Sequence, residues 1–293
     1  MAMGAKTALL EFEPIRRTRV VPFSSSASKI MAVLRTDPPG RLASPAYPTT
    51  LVALHVGRSL EIVCRRAGQN HRGTEIHGDI EIVPAGTPSV WEPEAEGTSF
   101  ILSLSPQLLE LSMRESGVDP KKVEIRNRFQ LRDPRIEHIG WALKAEMETD
   151  YRGGRLYTES LATALASQLV RSHSSIAKES GQREASISGA RLRRMLAYIE
   201  DNLTTDLGLE EIAGVAGLSV SHCKTVFREA VGMPVHRYVI ERRVDRAKDL
   251  LRHGKLPIGQ VALEAGFAHQ SHLARHMRRV LGCLPKDLRK TSR

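Results

Sequence analysis

One pattern of small, apolar and basic residues is written twice near the C-terminal end of this chain, and few folds accommodate such a duplication. The first copy reads IAGVAGLSVSHCKTVFREAVG (212–232) and the second VALEAGFAHQSHLARHMRRVLG (261–282). Ala213, Ala216, Gly217 and Leu218 recur 49 positions later as Ala262, Ala265, Gly266 and Phe267. After one added residue, Ser221, His222, Phe227, Arg228 and Gly232 recur 50 positions later as Ser271, His272, Met277, Arg278 and Gly282. A repeat at this period marks two copies of one supersecondary unit.

Each copy has the makings of a helix-turn-helix. Small residues let a second helix approach closely, and Gly217 and Gly266 stand where the sharp turn needs a positive φ. Ser219 follows as a favoured N-cap. In the next helix Cys223, Val226, Phe227 and Ala230 fall at i, i+3, i+4 and i+7, one buried stripe, which leaves Ser221, Lys224, Thr225 and Arg228 on the other face. In the second copy Leu273, Met277, Val280 and Leu281 are expected to turn inward, with Gln270, Ser271, Arg275 and Arg278 outward. Such side chains on a helix exposed past a tight turn suit base edges and phosphates in a major groove.

These segments, AGLSVSHCKTVFREAVGMP, YVIERRVDRAKDLL (238–251) and IGQVALEAGFAHQSHLARHMRRVLGCLPKDLR (258–289), resemble the DNA-binding domain of the AraC/XylS family of bacterial transcription regulators. The resemblance covers both units and the helix between them, about a third of the chain. Carried over position by position, it implies base-facing roles for Ser221, Lys224 and Thr225 in the first unit and for Gln270, Ser271 and Arg275 in the second. Arg275 is the strongest of these, because a guanidinium can hold guanine O6 and N7 together. Arg228, Arg278 and Arg279 are better placed for phosphates. His222 and His272, present in both copies, favour a structural hydrogen bond near the turn. The joining helix, near 235–252, would brace both units through Val239, Val244, Ala247 and Leu251. Its length would set the two recognition helices about one duplex turn, roughly 34 Å, apart.

Charge distribution points the same way. Of the formal net charge of +10, residues 190–293 carry 19 Lys and Arg against 11 Asp and Glu, and residues 1–189 carry 24 against 22. The basic excess lies where the paired motif lies, as a partner for phosphates requires.

The N-terminal half alternates at short period. Runs at 50–56, 59–64, 78–84 and 98–103 read as strands, separated by the turn signals Gly68-Gln69-Asn70, Pro84-Ala85-Gly86 and Glu96-Gly97. Strands in series favour a small sandwich or barrel, which fits the cupin-like effector domain that AraC relatives carry. Trp91 and Phe100 are candidate linings of an effector pocket, although apolar core is the more frequent fate of such residues. His55, His71, His77 and Glu75 invite a metal, but no HxH pair is present, so neither metal nor cofactor is expected. From Ser105 the period becomes helical: 107–116, then 134–150 with Ile136, Ile139, Leu143 and Met147 in a stripe, then 156–172 with Leu161, Leu165 and Leu169 flanked by Ala162, Ala164 and Ala166. Two uses are open for the latter pair, a dimer contact as in the resembling regulators or a cover for the barrel within one subunit.

The expected fold class is therefore α+β in two domains. A cupin-like β-barrel with flanking helices occupies 1–173, its helical part 105–173; a flexible linker rich in Ser, Glu and Gln spans 174–189. An all-α domain of two helix-turn-helix units joined by a long helix completes the chain over 190–293. The function expected is a sequence-specific DNA-binding transcription regulator, not an enzyme, that senses a small molecule or dimerises through its N-terminal domain. Its partners would be double-stranded promoter DNA, a small-molecule effector, RNA polymerase and a second copy of itself, with no membrane. Met1 to Pro14 lack an apolar signal-peptide core, no run reaches the roughly 18 apolar residues that cross a bilayer, and Cys64, Cys223 and Cys283 form no disulfide framework, so a cytoplasmic location at the bacterial nucleoid is expected. The rivals are a metal-dependent cupin-type enzyme with a DNA-targeting domain and a non-specific architectural DNA binder.

Overall fold

A computed structural model describes residues 19–22, 30–149, 152–177 and 182–290. The expectation for Met1 to Pro14 lies outside the described residues. The chain divides into two compact units, one of residues 1–131 and 135–178 and the other of 132–134 and 179–293.

In the first unit the described strands form two antiparallel sheets. One has the order β1 (Arg19–Pro22), β2 (Ile30–Asp37), β9 (Gly97–Leu104), β4 (Thr50–Val56), β7 (Ile80–Val83) and β10 (Arg128–Leu131). The other runs β3 (Leu42–Ser44), β8 (Ser89–Pro93), β5 (Leu60–Arg66) and β6 (Gln69–Glu75). The expected barrel is thus built as two separately hydrogen-bonded sheets. The four runs read from alternation are β4, β5, β7 and β9. The polar strand β6 has no such pattern and is held by its hairpin: Ala67 and Gly68 both take positive φ, 50° and 71°, and zip β6 onto β5 from the Arg66–Gln69 pair onward. Two positive-φ residues make the turn whose twist matches paired strands, so Gln69 and Asn70 begin a strand instead of lying in the turn.

Strand alternation sorts the six-stranded sheet into two faces. Val52, Leu54, Ile80, Ile82, Phe100, Leu102 and Leu104 form one apolar core with the helices that follow, α1 (Pro106–Glu115), α2 (Pro134–Glu148) and α3 (Gly154–His173). Ser105 caps α1, its Oγ accepting from the Leu108 amide at 3.3 Å. Gly140 lets α2 approach the sheet, since a Cβ there would lie 2.7 Å from a Leu54 methyl. Ile136, Leu143 and Met147 of α2 and Leu165 and Leu169 of α3 are buried as their spacing predicts. Ala164 is exposed, on the edge of α3 away from the core.

Several polar side chains cross from one sheet to the other. Arg66 pairs with Glu81 at 2.7 Å, His55 Nδ1 lies 3.5 Å from Glu75, and the Arg35 guanidinium sits 5.0 Å from the Trp91 ring centroid. Burial, with Glu81 and Asp79 nearby, holds the Glu75 carboxyl well above the usual carboxylate range. Burial and the same Glu81 push the Cys64 thiol up to about 12, so at neutral pH it is a packed thiol and not a nucleophile.

The second unit is helical: α4 (Gln182–Asp201), α5 (Leu209–Val215), α6 (Val220–Val231), α7 (Val235–His253), α8 (Ile258–Glu264), α9 (Gln270–Leu281) and α10 (Pro285–Lys290). Helix α4 begins at Gln182, so the span expected as linker is helical from there, while 178–181 lie outside the described residues. Gln, Arg, Glu and Ala in that span are good helix formers, a preference that polar composition concealed. Among the described residues, no helix is long and apolar enough to cross a membrane.

Candidate nucleic-acid interface

The duplication in the sequence reappears as a duplication of hydrogen bonds. At the end of α5, Gly217 turns left-handed (φ 63°), its amide donates to Gly214 O at 3.0 Å, and the Leu218 amide reaches back to Ala213 O at 3.0 Å. At the end of α8, Gly266 (φ 83°) donates to Leu263 O at 2.9 Å, and Phe267 to Ala262 O at 2.8 Å. These are the paired bonds that close a helix on a glycine. The recognition helices begin alike as well. Ser219 Oγ accepts from the His222 amide at 3.3 Å, and His269 Nδ1 accepts from the His272 amide at 3.2 Å. The added residue of the second copy is Ala268, inserted between the turn and the cap. Both helices end on a left-handed glycine, Gly232 (φ 77°) and Gly282 (φ 70°).

One face of each helix is fixed in the core. In α6 Cys223, Phe227 and Val231 are buried, with Val226 and Ala230 half-buried beside them. Cys223 Sγ lies 3.4 Å from Met195 Sδ on α4, so a small sulfur-bearing side chain fits beneath a flexible one. In α9 Leu273 and Met277 are buried and Leu281 half-buried, but Val280 is 38% exposed, which corrects its expected inward position. Each residue advances about 100° around a helix. Leu273, Met277 and Leu281 therefore drift one way along the stripe, and in the last turn Val280 lies about 60° from Met277 and about 100° from Leu281, on the trailing edge.

All nine side chains expected to meet DNA are exposed. Ser221, Lys224, Thr225 and Arg228 line the free face of α6, and Gln270, Ser271, Arg275, Arg278 and Arg279 that of α9. The Thr225 hydroxyl donates to Ser221 O at 3.3 Å in the resting helix. His222 is exposed, and its backbone amide, not its ring, makes the turn hydrogen bond. The His272 ring instead packs edge-on against Phe267 at 5.4 Å and lies 4.8 Å from His276. Burial, with Arg275 close by, lowers the pKa of His272; burial, then His272 and Arg275, lowers that of His276. His269 was missed from sequence as the second cap, although its offset of 50 from Ser219 marks it.

Helix α7 holds the two copies. Val239, Val244, Ala247 and Leu251 are all buried, and the last three join Val261, Phe267, Leu273 and Met277 in one core. Tyr238 packs edge-on against Phe227 of the first copy at 5.5 Å. Arg242 is buried and bidentate to Glu200 of α4, at 2.7 and 3.1 Å. Arg243 donates to Leu203 O at 2.8 Å and Thr205 O at 2.6 Å, and Leu203 O in turn lies against Gly266. The loop that leads into the first copy therefore rests on the turn of the second.

The remaining candidates lie in the first unit. Of its two expected uses, pocket lining and apolar core, Phe100 takes the second: it belongs to the helix-facing core, because it alternates in phase with Leu102 and Leu104. Trp91 is half-buried and carries Arg35 on its face. His55 Nε2 contacts Arg58 O at 2.7 Å, His71 Nε2 contacts Gln130 at 2.8 Å, and His77 accepts from the Gly57 amide and stacks on Trp141 at 4.7 Å. Among the described residues, no group of three or more His, Cys, Asp or Glu is arranged to hold a metal ion.

A family model described as a helix-turn-helix domain matches residues 212–291, from α5 through α10. The probable transcriptional regulator LumQ of Photobacterium leiognathi is 35% identical over 88 residues, 30% of this chain and 36% of that protein. The transcriptional activator AarP of Providencia stuartii is 35% identical over 94 residues, 32% of this chain and 70% of that protein. The chain thus spans little more than a third of LumQ but over two-thirds of AarP. A solved transcriptional regulator with an AraC-type DNA-binding domain from Chromobacterium violaceum is 25% identical, covering 36% of this chain and 96% of that one, with a TM-score of 0.35.

Proposed function

Since the chain belongs to the AraC/XylS family of transcription regulators, we propose that it binds promoter DNA sequence-specifically through α6 and α9, under control of a small molecule held by the first unit. The observation that carries this reading is the repeated turn-and-cap geometry, which leaves two helices each with one buried stripe and one free polar face. Ser221, Lys224, Thr225, Gln270, Ser271 and Arg275 read bases; Arg228, Arg278 and Arg279 neutralise phosphates. Coupling between effector and operator is reciprocal by linkage.

The partners follow. A second copy docks through α2 and α3, where Leu156 is 80% exposed and Tyr157 45%. RNA polymerase is the further partner, in keeping with the description of AarP as an activator. The protein acts in the cytoplasm, on the nucleoid.

Selection of bound fragments from a random duplex pool, followed by gel shift, tests the reading. Each well-made pairing of a side chain with a base edge is worth about 1 to 3 kcal/mol, so the double variant Lys224→Ala/Arg275→Ala should bind the selected fragment at least about tenfold more weakly and lose its preference over scrambled DNA. Wild-type protein that selects no sequence at moderate salt, or a double variant that shifts as well as wild type, contradicts it. The first of those results is what an architectural binder would give.

A further inference from the structure

The pairs Arg66–Glu81 and His55–Glu75 cross between the two sheets, and the first unit has a cleft elsewhere, of about 790 Å³, between α1, the segment 123–128 and the β7–β8 corner. Sites for small ligands are of this size. One wall is apolar: Leu109, Met113 and Val123, all buried, with the half-buried Ile125. The other wall carries Arg126 and Arg128. Arg126 donates to Ser175 O at 3.2 Å. Neighbouring Arg66 is satisfied by Glu81, Asn127 and the face of Phe129. Arg128 differs: it is half-buried on the cleft wall, and its guanidinium has no hydrogen-bond or ion-pair partner among the described residues. A half-desolvated cation beside an apolar wall is a receptor for an anion with an apolar body. Of the acidic groups on the rim, Glu110 is paired with Arg114 at 3.2 Å and Glu124 is exposed to water.

A second observation ties this cleft to the chain's exit from the unit. The wall segment is strapped to the residues after α3: the Arg126 amide donates to His173 O, the Ser175 amide to Glu124 O, and the Glu124 amide to Ser175 Oγ, at 2.8, 2.8 and 3.1 Å. Ser175 itself lines the cleft. Whatever fills the cleft rests on the strap that anchors the start of the join.

We infer that this cleft, and not the space between the sheets, is the effector site, and that it takes a small organic monocarboxylate, its carboxylate on Arg128 and its apolar body on Leu109, Met113 and Val123. Binding rigidifies the strap and so the anchorage of residues 173–177. The inference rests on the effector half of the function proposed above, not on its DNA half.

The test is calorimetric titration of the full chain, without DNA, with a panel of aliphatic and aromatic monocarboxylates and their methyl esters. At least one acid should bind with 1:1 stoichiometry, its ester at least tenfold more weakly. Arg128→Gln should weaken the acid about tenfold or more and leave the ester unchanged, Arg128→Lys should retain most of the affinity, and Met113→Trp should weaken acid and ester together. Amide exchange at Arg126 and Ser175 should slow on saturation. No saturating acid, equal affinity for acid and ester, an unaffected Arg128→Gln, or unchanged exchange at both amides overturns the inference. Arg128→Lys with Met113→Trp decides the matter should Arg128→Gln not fold. Because DNA is absent, failure here leaves the operator reading standing, and failure of the operator reading leaves this result standing.

Discussion

At the scale of the residue, the side chains proposed to read bases and those proposed to meet phosphates are all exposed, and the two classes predict different behaviour. Arg278→Ala and Arg279→Ala should weaken binding to all duplexes alike and reduce the slope of log affinity against log salt by about 0.9 for each phosphate no longer neutralised. Selectivity among sequences should be unaltered, and a change of preferred sequence would place these arginines on bases. The buried carboxyl of Glu75 makes a prediction about stability. Its folded-state pKa is raised by burial, so the folded protein holds that proton more tightly than the unfolded chain, and stability is lost as pH rises from about 4.5 toward the raised value. Glu75→Gln should therefore be more stable than wild type at neutral pH, with the advantage shrinking toward pH 4.5; urea midpoints from pH 4 to 8 would show it, and a pH-independent difference would refute it. The outward residues were legible because a helix with one buried stripe has only one free face. Val280 was misplaced because a three-and-four pattern does not say which way the stripe drifts, and the ring of His269 was overlooked because histidine is an unusual cap.

At the scale of the element, the two turns share hydrogen bonds but not surroundings. A Cβ at Gly217 meets nothing within 4 Å, whereas one at Gly266 would collide with Leu203 O and lie 2.8 Å from Arg243 Nε. Gly217→Ala should cost only what a left-handed alanine costs, about 1 kcal/mol. Gly266→Ala should cost several times that, since it must also displace the loop carbonyl on which Arg243 closes. Thermal unfolding of the two variants decides it, and equal losses would mean that Leu203 does not rest on Gly266. Strand elements were legible where β-branched residues alternate, as in β4 and β9. They were not legible in β6, QNHRGTE, where the hairpin turn and not the side-chain pattern imposes the strand. The linker was over-extended because low hydrophobicity marks a surface helix as readily as a flexible join.

At the scale of the whole molecule, an α+β first unit and an all-α second unit match the composition and charge shift along the chain, and the 49- and 50-residue offsets made the second unit legible in detail. The cleft proposed as the effector site was not legible, because it is assembled from α1, a strand edge and a loop corner that lie far apart in sequence, whereas the paired helices are each a local pattern. Two copies on one bracing helix should address DNA as two heads. Hydroxyl-radical footprinting on a selected operator tests that most directly. Two protected patches on one face of the duplex, about one helical turn apart, are predicted, with Lys224→Ala erasing one and Arg275→Ala the other. A single patch, or both variants weakening both patches equally, would contradict the account.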